Sequence, residues 1–365
     1  MNVAIIGGGV MGCTAALALA DRGARVVVLE RAVPGAEASS AAAGILGAQA
    51  ELRGHEGDAA LFAQARRSWA SWAPSLREAS GIDVGYRISG LLRVGHDEAE
   101  RLELATDVSW QRDRGFRATL LDGSEARTIE PELGASVVAA AHFPDEGQVD
   151  PPALLRALMV VLARNDRVTV RSGTTVERLI VERDRCTGVR LDHGEMRADA
   201  TVLAAGSWSS LIPGVPAALP VVRPNRGQIV LLDERPPQVR LIVLGAGAYL
   251  VPRGDGRVVC GSTMENVGFR REVTAAGVHA ILAGVLKCVP SLGQAQLSAM
   301  WSNFRPRADS DQALIGSSPL PGLFLATGHH RNGILLSIVT ANAVADAVLG
   351  THPGPAGDPE PSLTD

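Results

Sequence analysis

Lysine is almost absent from this chain. Lys287 is the only one among 365 residues, and every other basic side chain is arginine or histidine. With its many alanines and glycines, that bias points to GC-rich coding rather than to a function. No block of five like charges occurs, and the net charge is −4 with a pI near 6.1. Neither nucleic acid nor an anionic membrane surface is therefore an expected partner. The four cysteines (Cys13, Cys186, Cys260, Cys288) are scattered, with no CxxC and no cysteine–histidine ligand spacing. That excludes a zinc site and a disulfide scaffold, so no metal is expected and the cysteines suit a reducing cytoplasm. No apolar run reaches the 18 residues of a membrane span. The opening MNVAIIGGGVMGCTAALALA lacks a positive n-region, and three glycines break its apolar stretch, so a signal peptide is not expected.

Apolar residues make up 46% of the sequence, enough for a full core, and the length suits two domains. NVAIIGGGVMGCTAALALADRGARVVVLER reads as strand, tight turn, helix, strand. Residues 3–6 are continuously apolar, as a buried parallel strand requires. Gly7, Gly9 and Gly12 form G-x-G-x-x-G: a turn, a close backbone approach to a pyrophosphate, and close helix–strand packing. The free N–H groups at the start of that helix favour phosphate. The second strand ends in Glu30, a carboxylate able to accept both ribose hydroxyls and to repel a 2′-phosphate. A dinucleotide site follows, but this unit alone does not separate FAD from NAD.

A simple NAD dehydrogenase would continue with further βα units. Here GAEASSAAAGILGAQAE (35–51) is small and nearly uncharged, helical material runs from about 57 to 80, and a strand-rich stretch comes next. PPALLRALMVVLARN (151–165) returns to helix, and ATVLAAG is a buried strand ending at Gly206. Strands recur over 220–264 and 296–306, interrupted by a helix near 272–288, and GLFLATG then repeats the buried-strand-then-helix style. The expected fold class is an α/β FAD-binding Rossmann-like domain with an inserted, mainly antiparallel β-sheet substrate domain. Residues 1–80, 145–210 and 318–350 would form the first, 81–144 and 211–317 the second, and 351–365 a mobile tail. A cofactor spanning both domains suits FAD better than NAD.

In order along the chain, IIGGGVMG with Glu30, SSAAAGILGAQAE, DEGQVDP, VLAAGSWS, YLVPRGDGRVVCGSTM, WSNFRP and GHHRNGILL resemble the D-amino-acid oxidase superfamily, and within it the glycine oxidases of thiamine biosynthesis. The resemblance covers about residues 1–350 and implies the two-domain fold above. It also implies a homo-oligomer, commonly a tetramer. Related sarcosine oxidases bind flavin through a cysteine; none lies near GHHRNG, so non-covalent FAD is expected.

The chemistry needs a held carboxylate, a neutral amine and a Cα–H aimed at the flavin. Arg305, on an apolar strand between Phe304 and Pro306, is the expected carboxylate clamp, because a guanidinium pairs with carboxylate bidentately. The resemblance makes Tyr249 its partner, puts Met264 in the pocket wall, and puts Arg331 beside the amine end and the flavin; a core tyrosine and a core methionine are the plainer alternatives. A helix beginning near Asn332 or Gly333 would point its N-terminus at the flavin, aided by His330 and Ile334, where free N–H groups favour negative charge. Gly44, Ile45, Leu46 and Gly47 would run against the ring. Ser39, Ser40 and Ala42 would contact phosphate and ring, and Val176 would hold the adenine through its backbone. Arg31 packs beside the adenine or simply faces solvent. Val10, Met11, Ala205, Gly206 and Trp208 complete the expected cofactor set. One departure stands out: the glycine oxidases carry a histidine two residues before the pocket tyrosine, and this chain has Gly247.

The implied activity is oxidation of glycine or an N-substituted glycine by Cα hydride transfer to flavin N5, giving glyoxylate, amine and H2O2 with O2 as co-substrate. It would serve thiamine precursor supply or secondary metabolism. The alternatives are a dehydrogenase of the same superfamily with a non-oxygen acceptor, and a non-catalytic flavin-binding protein.

Overall fold

The computed structural model describes residues 1–52 and 56–351; residues 352–365, most of the expected tail, lie outside the described residues. A six-stranded sheet runs in the order Leu314–Ser317, Leu323–Thr327, Ala200–Leu203, Asn2–Ile6, Arg25–Leu29, Val168–Arg171. Five strands are parallel, and Leu314–Ser317 joins the edge as an antiparallel hairpin. The inner strands are mostly apolar because both faces are covered, one by helices and the other by the three-stranded antiparallel sheet Val176–Glu182, Arg185–Leu191, Gly194–Arg197. Val10–Asp21 and Gly333–Leu349 lie side by side there, with the Thr14 hydroxyl donating to the Ser337 carbonyl (3.3 Å). Trp69, fully buried on the helix Glu56–Ser80, donates its indole N–H to Leu335 O (3.0 Å). The N-terminal unit and the C-terminal helix are thus one layer although they close the chain from opposite ends.

An eight-stranded sheet takes all its strands from residues between 91 and 308. Every neighbouring pair is antiparallel except Ile242–Gly245 with Leu91–Gly95. Side-chain alternation divides its two faces: Leu92, Val94 and Ala140 pack with Ile281 and Val285 of the helix Ala275–Cys288, while Leu91, Ala139 and Ala141 pack with Leu104 and Val108 of the helix Glu98–Arg112.

Glu98–Arg112 and the shorter Gly123–Ile129 fall in a stretch read above only for its strands. Their start signals are plain in retrospect. Asp97 accepts from the Glu100 N–H (2.9 Å), and Asp122 with Glu125 forms a full capping box.

The paired strands Val222–Asp233 and Gln296–Ala308 extend from this sheet toward the parallel one. There Ser207 Oγ donates to Phe304 O (3.1 Å), and the His330 N–H donates to Pro306 O (2.8 Å). These two bonds bring Arg305 to the GHHRNG segment. Among the described residues no helix is long and apolar enough to cross a membrane.

Candidate active site

Between the two sheets lies a long cleft with about 2050 Å³ not filled by protein. At one end Gly7, at φ +108°, turns the chain so closely past the first strand's neighbour that a Cβ would meet the Ala204 carbonyl. The Glu30 carboxylate is pinned behind this turn, accepting from the Gly8 N–H (2.8 Å) and the Ala32 N–H (2.9 Å) while still lining the cleft. Ser39 Oγ accepts from the Val10 N–H (2.9 Å), so it sits at the helix N-terminus, beside the place for a phosphate. The Arg31 guanidinium stacks 3.9 Å from the Trp208 ring centroid and pairs with Glu37 (2.7 Å); both Arg31 and Trp208 line the cleft.

Of the residues expected at the cofactor, three do not reach the cleft. Gly12 is turned against the Gly7 carbonyl and Ile5, Ser40 donates its hydroxyl to Gly35 O (2.6 Å), and Leu46 is a core side chain. All the others line it.

At the far end the helix Gly333–Leu349 presents its N-terminus, with no side chain capping its first N–H groups and no acid in its first turn. Those donors are free for oxygen atoms of a ligand, in the field of the helix dipole. His329 and His330 flank it. His329 Nε2 bonds Thr340 Oγ1 (2.9 Å), and its buried Nδ1 has no partner among the described residues. Burial pushes the His329 pKa down to about 3. Burial, then the cations Arg305, Arg331 and Arg307, push that of His330 down to about 4, so both rings are neutral at neutral pH.

Arg305 extends from its strand into the cleft. Its guanidinium donates to Thr263 O (3.1 Å) and Ser262 Oγ (2.6 Å), and the Tyr249 phenol lies beside both Arg305 and Ser262. Two glycines make this possible: a Cβ on Gly227 would fall into the Arg305 guanidinium, and one on Gly261 into the Tyr249 phenol. Burial lowers the Arg305 pKa, opposed by Tyr249, and raises that of Tyr249, opposed by Arg305. Arg331 is held by Glu51 (2.8 Å). Met264 is 60% exposed and lines a second, outer chamber rather than the cleft.

The donor set fits an FAD. It comprises a glycine-rich turn at a helix N-terminus, a carboxylate lining the cleft beside it, and a second uncapped helix end beside a histidine nitrogen with no partner among the described residues. The FAD-dependent oxidoreductase family of the D-amino-acid oxidase (DAO) type matches residues 2–347. The chain belongs to this family. It is an FAD-dependent oxidoreductase, and its cofactor is FAD. It is 36% identical to glycine oxidase of Geobacillus kaustophilus over 95% of this chain and 92% of that protein. It is 34% identical, over 95% of its own length, to the bifunctional protein ThiO/ThiG of Trichormus variabilis, and spans about half (52%) of that relative. A solved glycine oxidase structure from Geobacillus kaustophilus superposes with a TM-score of 0.91 at 34% identity, covering 96% of this chain and 95% of that one.

Gly227 lies outside every motif and, like Gly261 and Ser262 of YLVPRGDGRVVCGSTM and Glu51 of SSAAAGILGAQAE, shows its role only once the strands pair. Glu146, within DEGQVDP, is another. Its Oε1 accepts from the Gln49 N–H (2.9 Å) and faces Arg66 (3.5 Å), beneath the Gly47 wall of the cleft, while Oε2 has no partner among the described residues. Burial raises its pKa to about 7 against the opposing pull of Gln49 and Arg66. The folded protein then holds this proton more tightly than the unfolded chain does, so stability falls as pH rises from the ordinary carboxyl value of 4.5 toward 7. Glu146→Gln should flatten that decline. Melting temperatures of the two proteins measured across this window should diverge in favour of the variant as pH rises; parallel curves would show that Glu146 is not titrating there.

Proposed function

We propose that this oxidoreductase oxidises the C–N unit of glycine or an N-substituted glycine, yielding glyoxylate and the free amine. The observation that carries the reading is the Arg305–Tyr249–Ser262 cluster at the end of the FAD cleft nearest the Gly333 helix. A guanidinium with planar donors, backed by a phenol and a hydroxyl, suits a single carboxylate. When bound, FAD supplies the acceptor for the two electrons leaving Cα, and O2 regenerates it with formation of H2O2. Arg305 and Tyr249 orient the carboxylate so that Cα lies between the clamp and the helix N-terminus. The amine binds neutral beside Arg331, whose positive charge disfavours an ammonium. His330 is uncharged and adds no cation, and no side chain is needed as general base. Water then adds to the released imine, and the carbinolamine separates into glyoxylate and amine.

The test is anaerobic bleaching of the visible flavin absorbance by glycine, sarcosine and a larger N-carboxymethyl amine, followed by peroxide measurement in air. Bleaching without peroxide would favour the dehydrogenase alternative. No bleaching by any glycine-containing amine would end the proposal. Tyr249→Phe removes one donor to the carboxylate, and kcat/KM for glycine should fall about tenfold, mostly through KM. An unchanged KM would place the Tyr249 hydroxyl outside the clamp.

A further inference from the structure

Beside the cleft is the outer chamber, with about 1660 Å³ unfilled by protein. Tyr249, Ser262 and Arg331 line both spaces, whereas Arg305 lines the inner one alone. A carboxylate seated on Arg305 therefore leaves the other end of the substrate facing the passage between them. Backbone geometry keeps the chamber wall beside Tyr249 low. The strands Ile242–Gly245 and Ala248–Pro252 are joined by Ala246 and Gly247 at φ +48° and +75°, the tight hairpin turn of two left-handed residues. No side chain longer than a methyl stands there, and a Cβ added to Gly247 would meet nothing within 4 Å.

One face of the helix Glu98–Arg112 forms the opposite wall. Glu100, Glu103, Leu104, Thr106, Asp107 and Trp110 line the chamber from it. The charge there is unbalanced. Arg93 pairs with Asp107, and Arg331 with Glu51. Among the described residues Glu100 accepts the backbone N–H of His96 (2.6 Å) and has no cationic partner. Glu103 has no ion-pair or hydrogen-bond partner among the described residues. Beside Tyr249, its partner in register, Leu244 adds an apolar side chain to the wall.

We infer that the outer chamber receives the nitrogen substituent of the substrate, and that preferred substrates are N-carboxymethyl amines whose substituent is several atoms long and ends in a cation. This rests on the glycine-unit oxidation proposed above. The reaction is unchanged: the Cα–N bond is oxidised to the imine, FAD takes the two electrons, and water releases glyoxylate and a diamine.

The experiment uses the FAD-loaded enzyme with glycine and three N-substituted glycines of equal chain length: N-aminobutyl-, N-pentyl- and N-carboxybutylglycine. The kcat/KM order should be aminobutyl first, pentyl about threefold lower and carboxybutyl about tenfold below the first, with the spread narrowing in high salt. Thr106→Trp, an exposed position that fills the chamber, should lower kcat/KM for the aminobutyl compound by about tenfold or more. Glycine should stay within about twofold, since the change is remote from the clamp. Glu103→Lys should raise the carboxybutyl compound and lower the aminobutyl one while leaving the pentyl compound in place. Glycine oxidised normally while all three long substrates are refused would overturn this inference and leave glycine-unit oxidation standing. So would Thr106→Trp slowing glycine and aminobutylglycine alike. Failure of every compound, glycine included, would overturn both.

Discussion

Arg305→Ala should lower kcat/KM for glycine by roughly 30- to 1000-fold, the equivalent of about 2 to 4 kcal/mol for losing a hydrogen-bonded charge partner of a desolvated carboxylate. The pocket contains Arg331 as well, but Glu51 already holds it at 2.8 Å, so it is not free to substitute. Arg305→Lys should recover only part of the loss, because an ammonium cannot hold Ser262 Oγ, Thr263 O and a carboxylate in one plane. Gly227→Ala is an independent route to the same outcome. Its Cβ would occupy the guanidinium's place, so Arg305 is displaced without being removed. FAD content should be unchanged in all three, since Arg305 approaches the cleft from the large sheet and not from the glycine cradle. Steady-state kinetics with the flavin spectrum of each protein checks this; full activity in Arg305→Ala would mean the carboxylate is held elsewhere.

The second large effect is expected at Gly12. Gly12→Ala drives a Cβ into the Gly7 carbonyl, with the carbonyl carbon at 3.1 Å and Ile5 at 3.3 Å. Both obstacles belong to the core between the first strand and its helix, so neither can move aside without opening the turn. A cost of about 3 kcal/mol is expected from such overpacking. Borne by the FAD-binding conformation, it would weaken cofactor affinity by roughly a hundredfold. The variant should purify with little yellow colour, and added FAD should raise its melting temperature more than it raises that of the wild type. A fully flavinated Gly12→Ala protein would show that the turn has slack that these distances do not reveal.

These two residues differ in how readable they were. Gly12 belongs to thirty contiguous residues in which strand, turn, helix and second strand each carry their own local signal. Arg305 could be nominated from an apolar strand and a resemblance, yet its partners could not. Ser262 and Thr263 are 43 and 42 residues away in sequence, and the Arg331–Glu51 pair spans 280. Ser40 and Leu46 show the converse. They were expected at the cofactor because they sit within a glycine- and alanine-rich stretch, but side-chain direction within that stretch turns one onto a backbone carbonyl and the other into the core. The helix Glu98–Arg112 carries a capping signal at Asp97, but it lies between two strong strand patterns that mask it.

The sequence by itself determined that a tight glycine turn opens a helix at Gly7–Gly12, that Glu30 ends the next strand beside it, and that a helix starts at Gly333, because each depends on backbone geometry and periodicity over a few turns of chain. Tertiary structure alone decided what surrounds the reacting centre: the glycines that make room for Arg305 and Tyr249, the neutral histidines, the raised pKa of Glu146, and the acidic outer chamber. Those properties come from groups distant in sequence being brought within a few ångströms, where burial and unlike charge act through space, and no local pattern encodes them.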